Sequence, residues 1–189
     1  TEQIPHVARV LRRLPLGRLA TLGVLGNHDY GPTWCADPIA EQVACVLETS
    51  GVQMLRNDRA DVAGLTVVGI DEMWSRNFKP AEALADRTPG PAVVLCHNPD
   101  GVDRPGWDGY SGWVLSGHTH GAQVDIPVLR DKFTPSRFGA HYTGGHIEEG
   151  GRHLYVSDGI GTSRFPSRFR AMPQIPVLEL HAWTSASPS

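Results

Sequence analysis

Two imidazoles, His118 and His120, stand two residues apart in the string GHTHG, directly after an apolar run at 112–116 (GWVLS). If that run is a strand, an extended turn at its C-terminal end points both rings the same way, a geometry suited to holding a metal ion. Two further strings share the pattern: VLGNHDYG carries Asn27, His28 and Asp29, and VVLCHNPDG carries His97, each closing a strand-like apolar run. Three hydrophobic strands thus deliver Asn or His to one sheet edge. Neutral imidazole and amide oxygen suit Mn, Fe, Co, Ni or Zn, whereas Ca and Mg sites are built mostly from carboxylates. A GxHxH turn alone reads equally well as a hydrogen-bonded turn histidine; the three strings together favour the metal. Asn27 as an Asn-His turn and His97 as a satisfied core histidine are the plainer alternatives.

On these motifs the chain resembles the calcineurin-like metallophosphoesterase superfamily: Gly26-Asn27-His28-Asp29, then a strand-borne His97, then Gly117-His118-Thr119-His120. The HNPD string and the tail at 154–168 (LYVSDGIGTSRFPSR) resemble its bacterial branch of phosphodiesterases and UDP-2,3-diacylglucosamine pyrophosphatase relatives. The resemblance runs over about residues 4–180. It implies an α/β fold of two mixed β-sheets sandwiched between helices in four layers. It also implies hydrolysis of a phosphodiester, pyrophosphate or phosphomonoester by water activated between two divalent ions about 3.5–4 Å apart. Asn27, His97 and His118 would then hold one ion and His120 the other. His28 would stabilise the phosphoryl charge or protonate the leaving oxygen, with Asp29 orienting it. Arg164 and Arg168 could pair with a substrate phosphate, solvated loop arginines being the alternative.

One departure matters. The family opens with a strand bearing Asp-x-His and a second ending in Gly-Asp, which supply ligands of one ion and the carboxylate bridging both. Neither motif occurs in this sequence. Relatives place Gly-Asp a few tens of residues before GNHD, so Thr1 falls just downstream of it, as in a processed or truncated product with an N-terminally incomplete fold. Glu179-Leu180-His181 mimics Asp-x-His without a following Gly-Asp, and Asp71 and Glu72 could reach the same sheet edge, with a solvated loop as their plainer reading. A catalytically impaired remnant, binding one ion or none as an interaction module, is the alternative to the enzyme. If central strands are missing, hydrophobic sheet edges stand open to self-association or to a partner.

Composition sets the frame. A chain of 189 residues, 40% hydrophobic and 20% charged, buries one substantial core, so residues 1–189 are expected to form a single domain. A net charge of −3 carries no footprint for nucleic acid; the expected partner is a phosphate-ester small molecule or a lipid-linked substrate. No stretch reaches the roughly 18 apolar residues of a membrane span and no signal pattern is present, which points to a cytoplasmic or membrane-peripheral location. Cys35, Cys45 and Cys96 lack metal or disulfide spacing and are expected as reduced, half-buried thiols, Cys96 facing the core side of its strand.

The elements must place these groups. Apolar spacing predicts a helix over 2–14 packed on a sheet face, a strand at 19–25, and a helix at 38–49 capped by Asp37 and stopped by Gly51. Strands are predicted at 52–55, 62–70, 93–97, 112–116, 123–128, 141–147, 153–157 and 176–180, with a short helix at 80–86 and a turn at 148–151. Gly26, Gly117 and Gly121 are expected to serve positive φ or close backbone approach. Trp74, Phe78, Trp107, Tyr110 and Trp113 read as core or as a leaving-group pocket. His6, His141, His146, His153 and His181 read as surface or hairpin positions.

Overall fold

The computed structural model describes residues 4–85, 87, 89–107, 109–163 and 165–181. Its largest unit is a six-stranded mixed sheet of β3 (Asp58–Val62), β4 (Leu65–Ile70), β5 (Ala92–Cys96), β6 (Trp113–Ser116), β7 (Gly145–Glu149) and β8 (Arg152–Val156). The spatial order is β3-β4-β5-β6-β8-β7. The four inner strands are parallel, and the edge strands β3 and β7 run antiparallel to their neighbours. Inner strands buried on both faces read as unbroken apolar runs, as LTVVGI and AVVLC do. A second, two-stranded parallel sheet pairs β1 (Leu22–Gly23) with β2 (Gln53–Met54).

Helices cover both outer faces. Helix α2 (Asp37–Thr49) starts with Asp37 and Pro38 in its first turn, which suit the dipole and the fixed φ there. It buries Ala40 and Ala44, spaced four apart, against Leu25, Tyr30, Val52 and Met54. On the far side, α3 (Pro80–Ala85) sets Ala83 and Leu84 on Val68, Ile70, Val94, Cys96 and Val114, with Trp107 and Tyr110 completing that core. The two sheets meet at Gly69, where an added Cβ would overlap Leu55 and lie 2.9 Å from Val24. The order is helix, sheet, sheet, helix, as the resemblance implies.

Several local expectations are corrected. Helix α1 (Ile4–Leu11) is shorter than the apolar period and lies against α2, with Val7 and Val10 exposed, because it has no buried residue to seat on a sheet. The polar segment ahead of β4 is itself strand β3, joined to β4 by Ala63 and Gly64, both at positive φ as a tight hairpin requires. Residues 123–128 form only an isolated bridge from Val124 to Phe169 and Arg170, and 176–180 form no strand. Cys35 and Cys45 are exposed rather than half-buried, whereas Cys96 is buried. Among the described residues, no helix is long and apolar enough to cross a membrane.

Candidate metal centre

Strands β4, β5, β6 and β8 end on one side of the sheet, the side where open α/β sheets bind ligands. Asp71 and Glu72 follow β4, His97 and Asn98 follow β5, His118 and His120 follow β6, and Ser157 and Asp158 follow β8. The Gly117 N–H donates to the His97 carbonyl at 3.0 Å, so β5 and β6 stay joined just past their ends. From the other sheet, β1 runs into a 3-10 turn at Asn27–Tyr30, closed where the Gly26 N–H donates to Asp29 Oδ2 at 2.8 Å. Asp29 therefore serves the backbone of its own turn.

Asn27, His97 and His118 converge. Asn27 Oδ1 lies 3.3 Å from His97 Nε2 and 3.1 Å from His118 Nδ1. His118 Nε2 donates to the Pro135 carbonyl at 2.9 Å, which in a neutral ring leaves Nδ1 as a bare lone pair turned to Asn27 Oδ1. Two acceptors facing each other repel unless a cation lies between them. Donors bonded at about 2.0–2.1 Å to a tetrahedral ion stand about 3.3 Å apart, so the spacing and the N, N, O donor set fit a borderline divalent metal. The His97 and His118 rings cross at 76° with centroids 5.2 Å apart, and Trp74 meets His118 edge-on at 4.8 Å. Close packing at Gly26 permits this: a Cβ there would lie 2.7 Å from His97 Cε1.

Electrostatics keep the rings neutral. Desolvation, then the nearby His118, His120 and His28, push His97 down to about 3. Desolvation likewise holds His118 down at about 4, against its bond to Pro135 and the nearby Asp100. His120 is also lowered, by burial and by Arg168. Neutral imidazoles are the form that ligates a metal. Asp29 is raised by burial, opposed by the Gly26 N–H and by His28, whose own side chain is exposed.

The turn carrying His118 and His120 enters the left-handed region repeatedly, with Thr119 between the two histidines right-handed at φ −80°. His118, His120, Ala122 and Gln123 have φ of 71°, 54°, 61° and 57°, sparsely populated values for non-glycine residues that surrounding contacts must impose. Gln123 anchors it, accepting from the Ser163 N–H at 2.6 Å and donating to the Phe165 carbonyl at 2.8 Å. Gly121, at φ 60°, also lies against Asp158, where a Cβ would come within 2.7 Å. Gly117 has neither need: its φ is not left-handed and a Cβ there meets nothing within 4 Å. Arg168 closes the loop by donating to the carbonyls of Asp158 and Gly161, each at 2.6 Å, and of His120 and Ala171, each at 3.3 Å. Arg164 lies outside the described residues.

Other groups at this edge had weaker sequence signals or none. The carbonyl that orients His118 belongs to Pro135, a backbone atom that residue type cannot reveal. Buried Asp100 accepts from Ser136 Oγ at 2.5 Å and from the Arg137 N–H at 2.9 Å, tying the segment that bears Pro135 to the loop after β5. Its signal was the HNPD string, in which Asn98 Oδ1 caps the Asp100 N–H at 3.1 Å. Asp71 is engaged by Tyr30 Oη at 2.5 Å and Arg56 Nε at 3.0 Å. Glu72 is buried with Oε2 unpaired among the described residues, and burial pushes it up to about 7. The aromatics divide: Trp107 and Tyr110 are core, while Trp74 flanks His118.

The sequence has relatives. The chain is 32% identical over 184 residues to the uncharacterized metallophosphoesterase YkuE of Bacillus subtilis, covering 92% of this chain and 60% of that protein. It is 31% identical over 179 residues to the phosphodiesterase YaeI of Escherichia coli, covering 88% and 60%. The chain belongs to the calcineurin-like metallophosphoesterases. A third relative in this group, the UDP-2,3-diacylglucosamine pyrophosphatase LpxG of Chlamydia trachomatis, is 33% identical over 126 residues, covering 64% of this chain and 37% of that protein. The chain thus spans about 60% of the length of the two relatives that it matches most fully of these three. No protein-family model and no solved structure matches it. Membership in a metallophosphoesterase family implies use of divalent metal.

Proposed function

We propose that this chain contributes the histidine side of a phosphoesterase centre that cleaves a phosphodiester or pyrophosphate, and that residues 1–189 act as one domain. The observation that carries the proposal is the His118 Nδ1 lone pair held toward Asn27 Oδ1 by the Pro135 carbonyl, because a metal ligand is oriented by what its other ring nitrogen donates to. Divalent ions bound here would supply the positive charge that activates water and neutralises phosphate oxygens.

The chain's own residues then have separable tasks. Asn27, His97 and His118 form the donor set for one ion, and His120, two residues further along the same turn as His118, is the ligand left for the second. His28 is exposed beside these rings and is placed to donate a proton to a leaving oxygen or to stabilise charge on the phosphoryl group. Trp74 walls the site against His118. Arg168 braces the loop behind His120 through its four carbonyl partners. A lipid-linked phosphate is the substrate class suggested by the likeness to LpxG.

The test is elemental analysis of the chain loaded with Mn²⁺, paired with turnover of bis-p-nitrophenyl phosphate, for the parent and His118→Ala. The same pair is measured with a preceding segment that bears Asp-x-His and Gly-Asp strands. Metal lost in the variant, and turnover raised by orders of magnitude when the segment is added, is the expected result. Unchanged metal in His118→Ala, or no gain from the added segment, would overturn the reading.

A further inference from the structure

The outer edge of the six-stranded sheet carries a second cluster of metal-binding side chains. His146 and Glu148 lie two apart on β7 and therefore on one face, and Glu148 is directly paired with His153 on β8. His153 is in turn paired with Trp113 on β6, which adds that ring to the same face. The ligating atoms of His146, Glu148 and His153 all lie within 4.8 Å of one another. His146 Nε2 is 3.2 Å from His153 Nδ1, and Glu148 Oε1 is 3.7 Å from His153 Nδ1.

We propose that His146, Glu148 and His153 bind one zinc-class ion that clips the β7–β8 hairpin. Two imidazoles and a carboxylate are a zinc donor set, and the 3.2 Å between the two nitrogens matches the roughly 3.3 Å edge of a tetrahedron with metal–nitrogen bonds of about 2.0–2.1 Å. The rings are already held in place. Trp113 stacks on His153 at 25° and lies at 32° to His146, both with centroids 5.0 Å away, and the two imidazoles lie at 26° to each other. Glu148 is 74% exposed, so its carboxylate can swing onto the ion without disturbing any packing. Water would complete the coordination.

This site is separate from the centre at the strand ends. Trp113 opens β6 and His118 follows its end, so the two clusters stand roughly 15 Å apart at about 3.3 Å per residue of strand. The hairpin has reason to be clipped. β7 is an edge strand, its turn relies on Gly150 and Gly151 at positive φ, and an ion bridging β7 to β8 holds the register that pairs Glu148 with His153.

The test titrates the intact chain with Zn²⁺ alone, by calorimetry and by elemental analysis after dialysis. It compares the parent, His153→Gln, Glu148→Gln and, for the other centre, His118→Ala. Glu148 is exposed and His153 is partly exposed at the sheet edge, and glutamine keeps a polar side chain at each position, so circular dichroism should stay at the parent's. The expected result is one ion fewer in His153→Gln, a weaker site in Glu148→Gln, and loss of the part of the zinc-induced rise in Tm that His118→Ala leaves in place. Zinc uptake and a rise in Tm in His153→Gln equal to the parent's would overturn the proposal, whatever His118→Ala does.

Discussion

His118 turns Nδ1 toward Asn27 Oδ1 at 3.1 Å because Nε2 is occupied by the Pro135 carbonyl at 2.9 Å. An acceptor pair held in this way is stabilised by a cation between its members. Asn27→Ala removes one member and is expected to lower Mn²⁺ affinity by more than about 10-fold. Asn27→Asp restores an oxygen at the same reach and should recover binding. Calorimetric titration of both variants checks this, and equal affinity in Asn27→Ala and the parent would contradict it.

Gly26 gives the cleanest steric test. Its φ of −103° suits any residue, so the only obstacle to alanine is a Cβ placed 2.7 Å from His97 Cε1. Gly26→Ala is expected to push the imidazole out of line, costing about 1–3 kcal/mol of stability as overpacking does, and to lower metal uptake as well. Urea denaturation and elemental analysis read the two effects separately.

His28 stands outside the converging set. His28→Ala should cut turnover of bis-p-nitrophenyl phosphate by roughly 10²–10⁴-fold, the range of a positioned proton donor, while metal content stays at the parent's. Metal lost together with activity would make His28 a ligand instead.

Stability of the metal-free chain should vary with pH in two opposed ways. His97 and His118 fall from an ordinary 6.5 to about 3 and about 4, so the stability they contribute is present above pH 6.5 and is lost as pH falls toward 4 and then 3. Glu72 rises from 4.5 to about 7, so its contribution is present below pH 4.5 and is lost as pH climbs through 7. Between 4.5 and 6.5 the two histidines outweigh the one carboxyl, and stability should increase with pH. Glu72→Gln removes the opposing group and should steepen that slope, as read by denaturation at a series of pH values; an unchanged slope would mean Glu72 titrates normally.

The residue types and their spacing determined much of this protein. Continuous apolar runs ending in HNPD and GHTHG identified the strand ends that bring His97, His118 and His120 to one sheet edge, because strand periodicity and ligand chemistry are both local; Asn27, expected at that same edge, comes in from the other sheet. The sequence located α2 by its proline start, although Asp37, expected as the cap, is the first residue of the helix and Ala36 precedes it as the cap; it located the hairpin turn by its glycine pair. It missed β3, whose polar residues look like loop because an edge strand is free to face water. It overextended α1, whose apolar period found no sheet to cover. Tertiary structure decided the rest. The lone pair that His118 presents is set by a backbone carbonyl 17 residues away, the neutrality of the rings by burial, and the hairpin cluster by a register that lays His153 between Glu148 and Trp113. Orientation, desolvation and cross-strand pairing arise only when distant segments meet, so residue type and spacing carry no trace of them.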